Sequence, residues 1–187
     1  DFAYELTKSS WQINISPFVN YFPNYIYLNP TAMYYEAQQI YFYSQSSVFR
    51  TGGEIASSYN ITKKLKLSID AEYIYSLQLS GSKKGYTLPF SPPLNANVEI
   101  SYKPEAKGIF NNTEIAALVK LTAAQNSIVP PEKKTPGFAI WNFSASTEVS
   151  TGKQALRLNV QLNNVLNTRY YDHTSFYRLI EVPDQGD

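Results

Sequence analysis

Residues 159–186 read NVQLNNVLNTRYYDHTSFYRLIEVPDQG. The stretch continues a strict alternation in which Leu156, Leu158, Val160 and Leu162 are set against Arg157, Asn159, Gln161 and Asn163. It then breaks into a segment crowded with tyrosine and arginine that carries the single histidine of the chain. Alternation at period two puts one residue set on each face of a β-strand. The break marks where such a strand leaves its apolar surroundings and a loop begins.

The same pattern recurs through the chain. Over 65–77 the odd positions are Leu, Leu, Ile, Ala, Tyr, Tyr and Leu, the even ones are Lys, Ser, Asp, Glu, Ile and Ser, and only Ile74 departs from it. Ala96, Val98, Ile100 and Tyr102 alternate with Asn97, Glu99 and Ser101; Ala139, Trp141, Phe143 and Ala145 alternate with Asn142, Ser144 and Ser146. No segment has helical periodicity. Seven strands are expected, over 10–21, 38–61, 65–77, 95–102, 113–121, 138–149 and 154–165, with a bulge at Gly52 and Gly53 in the long second strand.

Alternation fits a soluble β-sandwich as well as a membrane barrel, and three features favour the barrel. Globular strands cluster near 5–6 residues, whereas a tilted bilayer-spanning strand needs roughly 9–11, which is the length most of these segments reach. The connections alternate between short (62–64, 103–108, 150–153) and long (78–93, 122–136), as periplasmic turns and extracellular loops do. Aromatic residues such as Trp11, Tyr21, Tyr59, Tyr73, Tyr75 and Tyr102 gather near strand ends, where interfacial girdles lie. The fold expected is all-β, an antiparallel transmembrane β-barrel segment over 1–187.

Composition supports this. Charged residues make up 17% of the 187, fewer than in an ordinary globular surface, and 16 tyrosines are present; Asn, Ser, Gln and Thr supply the polarity, as a hydrated lumen permits. A net charge of +1 without long Lys/Arg runs excludes the electrostatic footprint of nucleic-acid binding. Without cysteine there is neither a disulfide framework nor a thiolate metal site. The opening DFAYELTKSS has neither the basic nor the apolar region of an export signal, so any such signal is expected outside these residues. Seven strands in lipid would leave two unpaired edges, each orphan backbone group costing several kcal/mol, so the segment is expected to belong to a larger barrel.

The closing stretch also resembles the region before the last strand of TonB-dependent outer-membrane receptors, in which N-N-L-x-N-x-x-Y leads into a loop with H-x-S and P-x-x-G-R-N. Asn163, Asn164, Leu166, Asn167, Tyr170, His173, Ser175, Pro183 and Gly186 match, while Asp187 stands where that pattern has Arg. The segments 24–30, 41–54, 86–104 and 123–144 resemble the same receptors in the same order, with a leaning toward the zinc, siderophore and related metal or metal-chelate receptors. The resemblance implies a 22-stranded barrel whose final strand and N-terminal plug lie outside this chain. Its implied partners are that plug and the remaining strands, TonB through the N-terminal part, outer-membrane lipid and lipopolysaccharide, and a metal or metal-chelate ligand of the siderophore, zinc, haem or cobalamin class. It implies active uptake at the bacterial outer membrane, with no resident cofactor. A passive porin-like channel and a soluble β-sandwich binding module remain as alternatives.

His173 is the candidate metal ligand, which Asp172, Glu181 or Asp184 could complete with mixed N/O ligation; its other reading is a histidine that anchors a loop. Tyr34, Tyr35, Tyr41 and Tyr43, with Asp172 and Glu181, are ligand-loop candidates, the tyrosines as an aromatic surface for a siderophore or porphyrin. Asp172, His173 and Ser175 are chain neighbours with no nucleophile elbow, so no catalytic triad is indicated and an enzyme is not expected.

Overall fold

The computed structural model describes residues 1–36, 38–152 and 154–176. Among these residues eight strands form one antiparallel sheet in chain order: β1 (Tyr4–Thr7), β2 (Trp11–Tyr35), β3 (Gln38–Asn60), β4 (Leu65–Gln78), β5 (Asn95–Tyr102), β6 (Phe110–Thr122), β7 (Phe138–Thr151) and β8 (Gln154–Leu162). One sheet rather than two packed against each other removes the sandwich alternative.

Register shows why the alternating sequence produces this sheet. Trp11, Tyr59, Leu67, Ile100, Ala117, Phe143 and Leu162 lie opposite one another across seven strands, and Leu65, Tyr102, Ile115, Ala145 and Val160 form a neighbouring row on the same face. The other face carries rows such as Ser16, Glu54, Glu72, Asn95 and Thr122. A one-residue slip in any pair would mix the two sets, so the pattern fixes the register. The apolar face is open: Ile100 is 43% and Leu158 46% exposed. In water so large an uncovered apolar surface would drive association; in a barrel wall it faces acyl chains.

The strands depart from expectation where parity changes. β1 adds an eighth strand at the edge, too short for its alternation to register in the sequence. β2 does not stop near Tyr21 but runs 25 residues, because a register shift between Phe22 and Tyr25 inverts which positions face each way and hides the continuing strand. β6 starts at Phe110, ahead of a register shift at Asn111/Glu114 where Asn112 has φ 48. β8 ends at Leu162, three residues early. The bulge expected at Gly52 and Gly53 is absent, since β3 pairs without a shift through both. Glycine is needed there for close approach: a Cβ on Gly52 would collide with the carbonyl oxygen of Tyr73.

At about 3.3 Å per residue β2 is roughly 80 Å long, far more than the ~9–11 residues that cross a bilayer. Beyond Phe22↔Val48 it pairs only with β3, as a two-stranded ribbon that overshoots the end of β4. The ribbon rises at the end where the long loops 79–94 and 123–137 emerge, while short turns close the opposite end. The most deeply buried large side chains, Val48, Gln78, Val129 and His173, all lie at the long-loop end. The core of this segment is therefore a loop layer, and the sheet is a wall without a core of its own.

Candidate functional site

The ribbon, the two long loops and the segment after β8 join through a continuous polar network. Gln78, at the end of β4, is fully buried; its Oε1 accepts from the Tyr27 hydroxyl at 2.6 Å and its Nε2 donates to the Thr87 carbonyl at 2.7 Å. Burial of the Tyr27 phenol pushes its pKa above the ordinary tyrosine value. The hydroxyls of Ser76, Thr87 and Ser91 lie 2.8–2.9 Å from one another, and Ser91 also donates to the Leu88 carbonyl. Gln125 carries the network to the second loop through Nε2 to the Ser91 carbonyl at 2.8 Å. Buried polar groups that satisfy one another in this way hold a single loop conformation.

Glu132 holds the most constrained part. Its carboxylate accepts from the backbone N–H of Phe90 at 2.9 Å and from that of Val129 at 3.2 Å. Phe90 has φ 55, a left-handed conformation that costs a bulky residue of order 1–3 kcal/mol and persists only when its neighbours fix it. That backbone turns the Phe90 ring onto Phe176, with centroids 4.6 Å apart, and toward Tyr41 at 5.9 Å; Tyr41 meets Phe176 edge-on at 5.7 Å. Three elements distant in sequence thus meet in one aromatic cluster, with Phe176 56% exposed.

His173 is 2% exposed and its Nδ1 lies 3.1 Å from the Thr135 hydroxyl, inside the loop layer. Its neighbour Asp172 is exposed and closes a turn, accepting from the Thr174 amide at 2.9 Å and hydroxyl at 2.6 Å. The Thr174 hydroxyl bond is the main cause holding the Asp172 carboxyl below its ordinary pKa. Of the tyrosines, Tyr41 joins the aromatic cluster, Tyr34 and Tyr35 stand near the ribbon tip at 57% and 68% exposure, and Tyr43 is 81% exposed. Glu181 and Asp184 lie outside the described residues. The five described ligand-loop candidates are therefore spread over the β2–β3 ribbon and the segment after β8 rather than gathered at one point. Among the described residues no group of three His, Cys, Asp or Glu could hold a metal ion. Sequence reasoning missed Phe90, Glu132 and Gln125; the proline-dense LPFSPP and VPPEKKTP, which stiffen both loops, are the signal that could have pointed to them.

The polar face of the sheet carries a second feature. Glu54, Asp70, Glu72, Asn95 and Asn97 line a shallow depression of about 230 Å³, with Glu54 directly opposite Glu72. Like charges so placed repel. The ion pairs among the described residues lie elsewhere, Lys64–Glu105 at 2.6 Å and Lys103–Glu114 at 3.4 Å, both by the short turns.

Residues 1–165 match a family model described as TonB dependent receptor-like, beta-barrel. No curated protein matches the chain. Among solved structures, the copper transporter OprC is similar, with a TM-score of 0.75 and 18% identity over 91% of this chain. The chain spans 26% of OprC, and at that identity the likeness concerns the fold alone.

Proposed function

The chain belongs to the TonB-dependent receptor-like β-barrel family, and on that premise we propose that it supplies wall and outer loops to a receptor for active uptake of a metal ion or metal chelate across the bacterial outer membrane. The observation that carries this reading is the two-faced sheet, apolar outside and acidic-polar inside, topped by a loop layer that ends in exposed aromatic rings. A passive channel needs the wall but has no use for loops stitched this closely. The remaining strands and a plug would cover the two sheet edges and the polar face, and TonB would act through the plug.

In this reading Tyr34, Tyr35 and Tyr43 are the exposed side chains that meet the ligand, and the Tyr41–Phe90–Phe176 cluster, its rings tilted and edge-on to one another, is an apolar aromatic surface suited to an aromatic chelate. His173 anchors the loops rather than ligating metal, because its ring is enclosed and one nitrogen faces Thr135. The metal class also accords with the likeness to OprC, described as a copper transporter. Membership in a receptor family points to transport rather than to an enzyme.

The test is accumulation of radiolabelled copper, zinc, ferric siderophore and cobalamin by cells expressing the full-length receptor, with and without TonB. Uptake of one of them that needs TonB and stops when the proton gradient is dissipated is expected. Uptake indifferent to both would replace this reading with passive conduction.

A further inference from the structure

We propose that the outer wall of β2–β4 holds one anionic phospholipid of the periplasmic leaflet, its acyl chain in a groove running from Trp11 toward Pro17 and its phosphate between Lys8 and Lys63. The proposal rests on the outer-membrane reading above but assigns a site that uptake itself does not require.

The groove lies on the apolar face. Its lower part, of about 300 Å³, is lined by Trp11, Ser57, Tyr59, Leu67 and Ile69. Farther along the same strands a second depression of about 230 Å³ is lined by Ile15, Pro17, Gly53, Ile55, Ala71, Tyr73 and Leu94, with Glu54 and Glu72, whose strand positions belong to the opposite face, also at its border. Small side chains create the relief: Ser57, Gly53 and Ala71 alternate with bulky neighbours on paired strands. The Trp11 indole donates Nε1–H to the Ser57 hydroxyl at 3.1 Å, which fixes the ring as one wall and gives that hydroxyl a partner.

Its length fits one leaflet. Six residues separate Trp11 from Pro17, roughly 20 Å along the strand and about 15 Å along the membrane normal after tilt, half of a hydrocarbon core of about 30 Å. Trp11 and Tyr59, opposite each other, sit at the short-turn end, where interfacial rings belong.

Charge complementarity selects the headgroup. Lys8 flanks Trp11 through reciprocal backbone bonds of 2.7 and 3.3 Å, and the bond from Asn60 N to the Ser10 carbonyl, 2.8 Å, brings the following turn with Lys63 beside it. Lys64 and Lys103 are neutralised by Glu105 and Glu114. Lys8 and Lys63 form no ion pair among the described residues, so two exposed lysines lie in the turns next to Trp11 and Tyr59.

Native mass spectrometry of the full-length receptor, released from nanodiscs of mixed phosphatidylethanolamine and phosphatidylglycerol, tests this. Wild type is expected to retain phosphatidylglycerol in preference, and K8Q/K63Q to lower that preference by about fivefold per lysine removed. S57L, which fills the groove, should lower retention of both lipids and leave the preference unchanged. Equal retention by wild type, or an unchanged preference in K8Q/K63Q, overturns the site while leaving the receptor reading intact. A receptor that stays dispersed in water without nanodisc or detergent overturns the outer-membrane reading instead.

Discussion

Replacing Glu132 by alanine removes the acceptor for two backbone amides, those of Phe90 and Val129. A hydrogen bond to a charged group contributes about 1.5–3 kcal/mol, so the two together contribute roughly 3–6 kcal/mol. Water entering the loosened loop and relaxation of Phe90 from φ 55 recover part of this. A net loss of about 3 kcal/mol in the local opening free energy remains, more than a hundredfold in the opening equilibrium. Hydrogen–deuterium exchange on the full-length receptor reads this directly: the Phe90 and Val129 amides should exchange at least a hundredfold faster in E132A, and by an intermediate factor in E132Q, which keeps one acceptor oxygen. Amides inside the sheet, such as that of Val119 in β6, should not change, because the sheet does not depend on the loop. Exchange at Phe90 and Val129 within threefold of wild type would refute the argument that this carboxylate holds the loop.

Arginine in place of Leu158, mid-strand on the apolar face, should destabilise the assembled barrel by about 2–4 kcal/mol, whereas arginine at the adjacent Asn159 should be tolerated; heat-modified gel mobility of the two variants separates them. Alanine at Tyr34, Tyr35 and Tyr43 together should weaken capture of the transported chelate at least tenfold without altering thermal stability, because all three rings are exposed; a parallel loss of stability would assign them to packing. The depressed Asp172 pKa makes its turn pH-dependent. The contribution is full above the ordinary value of 3.8 and is lost as pH falls through the lower folded value, so NMR or exchange at Thr174 should show the turn opening only in strong acid, and D172N should abolish that transition.

The alternation around Leu67, Ile100 and Leu158 by itself determined strand identity and the two faces, because period two is a local property and each residue declares its own side, while the pairing order came from the tertiary structure. The β2 half of the ribbon escaped it where the register shift after Phe22 reversed parity, since a single extra residue cannot be told from the start of a loop in an aromatic-rich run. The loop layer was illegible for a different reason. Glu132 reaches Phe90 across 42 positions and His173 reaches Thr135 across 38, and such pairings depend on where the wall sets each loop down rather than on anything adjacent in the chain. His173 shows the division most plainly: from sequence a lone histidine in a polar loop reads as a ligand or as a loop anchor alike, and only tertiary packing encloses its ring and sets Nδ1 3.1 Å from the Thr135 hydroxyl.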